Sequence, residues 1–448
     1  MVTSKESSQL LEDLIFPKIF QTFRMSIQPT KLIIIAVALA VICLAGWIMD
    51  FSKTVAVERD SNGKIAKTEL QIYITQADRS KVQSEIEKLN QNGQRSGVFS
   101  TMWHFSAKKF QGAVESVVLR HNIEELVNNI TDYFKAIGWA LRYHPVYCIF
   151  FFAIELAVMS IAGGAICRIA ALQFARGEKP GLTEALRYGT KKFTSFFTAP
   201  LAPIGIILFI GLFIFLLGLA GNIPRAGELL VGLGMPLALF AGSLLAVIVI
   251  GAVAGFNLMF PAVAYDGSDC FDAISRSFSY VYARPWRMIV YTAIAAIYGS
   301  ICYMFVRIFA FLLLWITRWC VQVTLLVNDS TGQVNKLTTI WPKSGFSKLV
   351  LPPPSGANWT EWTAAHLIYL FLLVIVGLVV SFIISFYFSA NTIIYSLMRK
   401  TVDNTAFEDI YMQFDEAEAG PKANELLPSE DSPQPEFEPT QDEPFSDQ

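Results

Sequence analysis

Residues 200–221 read PLAPIGIILFIGLFIFLLGLAG, a run without a single charged side chain. At 1.5 Å of rise per residue, a helix of that length crosses a hydrocarbon core of about 30 Å. Soluble helices keep a polar stripe, and this run has none. Five further apolar stretches share the property: Lys31 to Met49, and about Val146–Cys167, Gly232–Phe260, Met288–Trp315 and Ala364–Ser389. The expected fold class is an all-α polytopic membrane protein with about six transmembrane helices.

Composition agrees. Of 448 residues, 53% are apolar and only 16% charged, where soluble chains carry about 25% charge. The formal charge of −2 averages unlike regions. Pro421–Gln448 holds eight acids against Lys422 alone, with six prolines. That composition cannot bury a core, so 401–448 is expected to be a disordered acidic tail. Acidity there argues against nucleic acid as a partner. The six cysteines stand singly, with no CxxC pair, and the four histidines are scattered. They read as packing residues, and no metal or other cofactor is expected.

Charge sets the expected topology. The first apolar run lies behind a long N-terminal segment and lacks a small-x-small cleavage site before Asp50, so it reads as a retained anchor. With a cytoplasmic N-terminus, the loops after the second, fourth and sixth spans also face the cytoplasm. The first of these carries Arg168, Arg176, Lys179, Arg187, Lys191 and Lys192. The second carries Arg276, Arg284 and Arg287, and the third opens with Arg399 and Lys400. The opposing loop Asn222–Glu228 has only Arg225, which is the asymmetry of the positive-inside rule. Trp47, Trp139, Trp315, Trp319, Trp359 and Trp362 mark the outer boundary, and Trp286 the inner one.

The chain then divides into a cytoplasmic amphipathic N-terminus (1–30), a first span (31–50), an extracytoplasmic domain (51–144), a five-helix bundle (145–400) and the tail (401–448). In the N-terminal segment Leu11, Ile15, Ile19 and Phe23 recur at helical spacing. They suit a helix on the inner leaflet or one packed on the protein. In the outer segment Val55/Val57 and Leu70/Ile72/Ile74 alternate about Asn62-Gly63, a hairpin signal. From Ala77 the pattern is helical, with Leu126, Ile130, Phe134 and Ile137 on one face. A small α+β or helical domain is expected. The fourth stretch is long, about 54 Å from Leu229 to Ala264 as one helix. Pro236 is expected to split off a short interfacial turn.

Asp266, Asp269 and Asp272 form a D-x-x-D-x-x-D run. Such carboxylates offer oxygen ligands to a divalent cation, but the stronger reading is a turn at Asp266-Gly267 followed by acids at a helix N-terminus. Glu155 and Arg307 lie inside apolar runs, where ionisable groups face a partner or a water-filled cavity. They are expected in the outer half of the membrane, where they could pair. Asn257 offers an interhelical hydrogen bond. Gly251-x-x-x-Gly255, Ser160-x-x-x-Gly164 and Ala295-x-x-x-Gly299 allow helices to approach closely.

Phe260–Ala296 reads FPAVAYDGSDCFDAISRSFSYVYARPWRMIVYTAIAA. From the second span onward the chain resembles uncharacterised bacterial membrane proteins related to the membrane domain found beside glycerophosphodiester phosphodiesterases. There an acidic turn is followed by an Ala-[Leu/Ile]-x-[Arg/Lys]-Ser helix, here Ala273-Ile274-Ser275-Arg276-Ser277. The resemblance implies a bacterial inner-membrane location and carries no enzymatic role, since it does not extend to a phosphodiesterase domain.

No Walker loop, HExxH, GxSxG or GxGxxG is present, which argues against nucleotide-driven pumping and zinc-dependent intramembrane proteolysis. The leading expectation is a non-enzymatic integral membrane protein that organises or assists membrane components. Its expected partners are membrane lipids, and proteins reached through the outer domain and acidic tail. The alternatives are a transporter or channel for a small solute or lipid, with Glu155 and Arg307 lining the path, and a metal-dependent lipid-modifying enzyme built on the aspartate run.

Overall fold

The computed structural model describes residues 16–59, 65–76, 78–91, 94–325, 336–346, 349–351 and 358–412. The acidic tail beyond 412, the Asn62-Gly63 turn and residues 1–15 lie outside them. Among the described residues six helices are long and apolar enough to cross a membrane, so the chain is a multi-pass, helical membrane protein. They are α1 (Pro29–Met49), α6 (Pro145–Arg176), α8 (Phe193–Ala220), α9 (Gly227–Asp266), α11 (Pro285–Leu325) and α12 (Trp359–Val402).

Between α1 and α6 lies a small α+β domain. Strand β1 (Val55–Arg59) pairs antiparallel with β2 (Ile65–Thr68) on one side and β3 (Arg95–Ser96) on the other. Its alternation serves two cores. Val55 and Val57 face Leu70, Val98, Ala136 and Trp139, while Ala56 faces Ile72, Val82, Ile86 and Leu89. The expected second strand stops early: β2 ends at Thr68, and Glu69–Thr75 forms helix α2. The reason is a capping box. Thr68 Oγ1 accepts from Gln71 N at 3.2 Å, and Gln71 Oε1 accepts from Thr68 N at 3.2 Å. Leu70, Ile72 and Ile74 mimic strand alternation, but the cap starts a helix beneath them. Helices α3 (Arg79–Gln91), α4 (Val98–Glu115) and α5 (Ile123–Tyr143) complete the domain. A carboxylate from the end of α1 ties the domain to the bundle. Asp50 accepts from Phe99 N at 2.8 Å and Ser100 N at 2.9 Å, filling the anion position at the start of α4.

Helix α9 runs unbroken through Pro236, against the expected interfacial turn. Leaving the helix in a lipid-facing segment would strand several backbone groups without water, whereas one proline removes a single bond. From residue 16 on, the N-terminal segment also takes the packed option. Ile19, Thr22, Met25 and Ser26 are buried. Phe23 sits edge-on to Phe305 and Phe382, and Ser385 Oγ donates to Ser26 O at 2.9 Å.

Two amphipathic helices, α7 (Leu182–Lys191) and α10 (Cys270–Ala283), lead into α8 and α11. They lie at one end of the bundle, here called the basic end. Deeper in the bundle, glycine notches receive aromatic rings. A Cβ on Gly163 would lie 2.6 Å from Phe388, one on Gly164 2.5 Å from Phe196, and one on Gly299 2.7 Å from Phe386.

Candidate functional site

Helices α4 and α5 lie antiparallel, Val114 of α4 packs against Tyr303, Met304 and Val379 of α11 and α12, and the four helices line an open cavity of about 530 Å³. The outer wall is Trp103, Ala107, Phe110, Ala113, Ile130, Tyr133 and Phe134, and Tyr303, Val380 and Ile383 close it from the bundle. Phe110 meets Tyr303 edge-on at 5.3 Å. The polar lining is small and lies on α4 and α5: Ser106, Lys109 and Asn129. Lys109 Nζ lies 2.7 Å from Asp132 Oδ2, and Lys135 Nζ 3.4 Å from Asp132 Oδ1. Gly112 permits the close approach of the two helices. A Cβ there would lie 3.1 Å from the Asn129 amide nitrogen. One face of α5 stays exposed: Ile123, Val127, Ile130, Phe134 and Leu141 form an apolar row beside the cavity.

The two charges expected to pair, Glu155 and Arg307, form no ion pair with each other among the described residues. Arg307 is 5% exposed and donates through Nη2 and Nε to Phe346 O at 2.8 and 3.3 Å. Its Nη1 donates to Tyr303 OH at 2.9 Å. It therefore fastens the 336–346 segment to α11, and Arg318 does the same at Trp341 O. Glu155 is partly buried on α6, and Tyr133 of the cavity wall is its electrostatic neighbour. The Tyr133 hydroxyl is held above its usual range by burial first and by Glu155 second. Asn257 accepts a hydrogen bond from Tyr387 OH at 2.5 Å, joining α9 to α12.

The aspartates take three separate jobs. Asp266 ends α9 ahead of Gly267, whose φ of 64° suits a glycine C-cap. Its carboxylate accepts from Tyr395 OH and lies 3.2 Å from Arg276 Nη1. Arg399 Nε is also 3.2 Å from Asp266, an ion-pair distance at which the N–H does not point along a hydrogen bond. Asp269 caps α10, accepting from Asp272 N at 3.0 Å. Asp272 pairs with Arg276 one turn on at 3.0 Å. The run thus binds the chain's own arginines and amides, and no metal-ligating group of three acids, histidines or cysteines occurs among the described residues.

Three donors from α6, α7 and the start of α8 satisfy the carbonyls at the end of α9. Arg168 reaches Ala264 O at 3.0 Å, Tyr188 reaches Val263 O at 2.8 Å and Lys192 reaches Gly267 O at 2.6 Å. The charges of Arg168 and Lys192 also complement the negative end of the helix dipole. Lys31, wholly buried, donates to Ser389 Oγ at 3.2 Å. Sequence reading missed it because it stands at the edge of an apolar run, where a lysine usually reaches out to the interface. Lys109 and Asp132 were equally hidden, since their pairing joins two helices whose register is tertiary.

No family model, curated protein or solved structure matches this chain.

Proposed function

We propose that the protein is a non-enzymatic membrane protein that assists membrane components by holding a lipid at the junction of its α+β domain and its bundle. One observation carries this reading. The 530 Å³ cavity is walled by apolar and aromatic side chains, has a few polar groups on one side, and adjoins an apolar helix row. That is the character of a site for an apolar ligand oriented by a few polar contacts. The basic end is assigned to the cytoplasm from the charge asymmetry, which places both termini inside and the α+β domain outside. On this reading Arg307 shapes the cavity floor through Tyr303, which it binds, rather than lining a path for solutes.

The test is mass spectrometry of the protein purified from its native membrane in mild detergent. A lipid retained at defined stoichiometry is expected, and Ala113→Trp, which fills the cavity, should remove it. Retention of the same lipid by Ala113→Trp and Ile383→Trp would overturn the reading.

A further inference from the structure

We infer that the lipid held in this cavity carries an anionic, phosphate-bearing headgroup, which Lys109 recognises; the inference rests on the lipid-binding reading above. The charged and amide side chains of the cavity lie on one side only. Val380, Ile383 and Tyr303 supply the bundle wall, and Lys109 and Asn129 stand on the opposite side, on α4 and α5. An occupant that satisfies both sides has one apolar part and one polar end, which describes an acyl chain and its headgroup.

Charge decides the class of headgroup. Lys109 and Lys135 both approach the single carboxylate of Asp132, at 2.7 and 3.4 Å. The triad therefore carries one net positive charge beside the cavity. Lys109 is the member that also lines the cavity, and its side chain is about one quarter exposed. An ammonium already held by a carboxylate keeps further donors for a phosphate oxygen. The Asn129 amide adds a neutral donor in the same wall. A zwitterionic headgroup would bring a further cation beside Lys109 and Lys135, which an anionic headgroup does not. The apolar row Ile123, Val127, Ile130 and Phe134 gives the chain a continuous route from the bilayer.

The full-length protein, reconstituted in nanodiscs of equal phosphatidylglycerol and phosphatidylcholine and then released into detergent, provides the test. Native mass spectrometry counts each retained lipid. The wild type should retain phosphatidylglycerol preferentially. Lys109→Gln should lower the ratio of phosphatidylglycerol to phosphatidylcholine about fivefold, the size of one partly exposed charge contact. Lys109→Arg should preserve the ratio, and Ala113→Trp should abolish retention of both lipids. If Lys109→Gln leaves the ratio unchanged while Ala113→Trp still empties the site, the headgroup assignment is wrong and lipid binding stands. If Ala113→Trp and Ile383→Trp both leave retention unchanged, the cavity does not hold lipid and both inferences fall.

Discussion

The α8–α9 hairpin and the junction of α1, α6 and α12 are built from comparably apolar sequence but have opposite surroundings. In the most apolar window of α8 and of α9, 6% is buried within the protein, against 22–33% in the other four spans. Gly205, Gly218, Gly232 and Gly242 meet nothing within 4 Å, while Gly163 and Gly164 are filled by Phe388 and Phe196. The hairpin presents bulky side chains such as Leu208, Phe209, Phe213 and Phe215 to its surroundings. At the junction, small and polar residues are buried instead: Ala162, Ala165, Ser160, Ser385, Ser389 and Thr392. Hydropathy treats the two alike because lipid and protein interior are similarly apolar. Side-chain size separates them, since helices approach closely only where residues are small.

The largest effect should come from the polar centre at the basic end. Asp266→Ala leaves Arg276 and Arg399 facing a carboxylate that is gone. Unfolding in detergent should show a loss of about 3 kcal/mol, the low end for a buried ion pair missing one partner, because Arg276 keeps Asp272 and Arg399 keeps Asp409. On the hairpin, Phe213→Arg should raise the membrane-insertion free energy of α8 by about 2.5–3.5 kcal/mol, read from a glycosylation-based insertion assay. A much smaller rise would mean that this face meets water or a polar partner, and the contrast drawn above would break.

Gly163→Leu and Gly242→Leu address the same contrast directly. The first drives a side chain into Phe388 and should cost about 1–3 kcal/mol by overpacking. The second meets open space and should stay within about 0.5 kcal/mol of wild type. Equal losses in a denaturation series would show that the hairpin is as tightly packed as the junction.

The α+β domain offers a third environment and the smallest effect. Burial raises the pKa of Glu69, partly offset by hydrogen bonds from Ala56 N and Trp139 Nε1, both at 3.3 Å. A carboxyl raised in the folded state contributes most below its unfolded pKa of about 4.3, where both states are protonated. That contribution fades as pH rises through the folded value. Wild type should therefore lose stability relative to Glu69→Gln as pH rises above about 4.3, until the folded carboxyl has ionised. Thermal melts across that range would show it, and parallel curves would disprove it.

Some of this architecture was legible in the chain because its signals are local. Each apolar run is long enough to span by itself, and Asp269 caps α10 as the acids at its start suggest. Pattern reading failed where two local signals competed. Leu70, Ile72 and Ile74 alternate like a strand, yet Thr68 and Gln71 cap a helix. It also failed where a residue's partner is remote. Glu155 and Arg307 both suggested a charged pair, whereas Arg307 binds a backbone carbonyl, an acceptor that every residue carries and no motif marks.

Counting spans needed only the length and apolarity of each segment, because a segment's transfer into lipid depends on its own side chains. Which faces meet protein, where a cavity opens and which carboxylate a lysine finds are properties of pairs. Lys31 and Ser389 are 358 positions apart, and Asp266 and Tyr395 are 129 apart. Those partners exist only once the helices have docked, so packing, not hydropathy, paired Lys109 with Asp132 and opened the cavity beside Lys109.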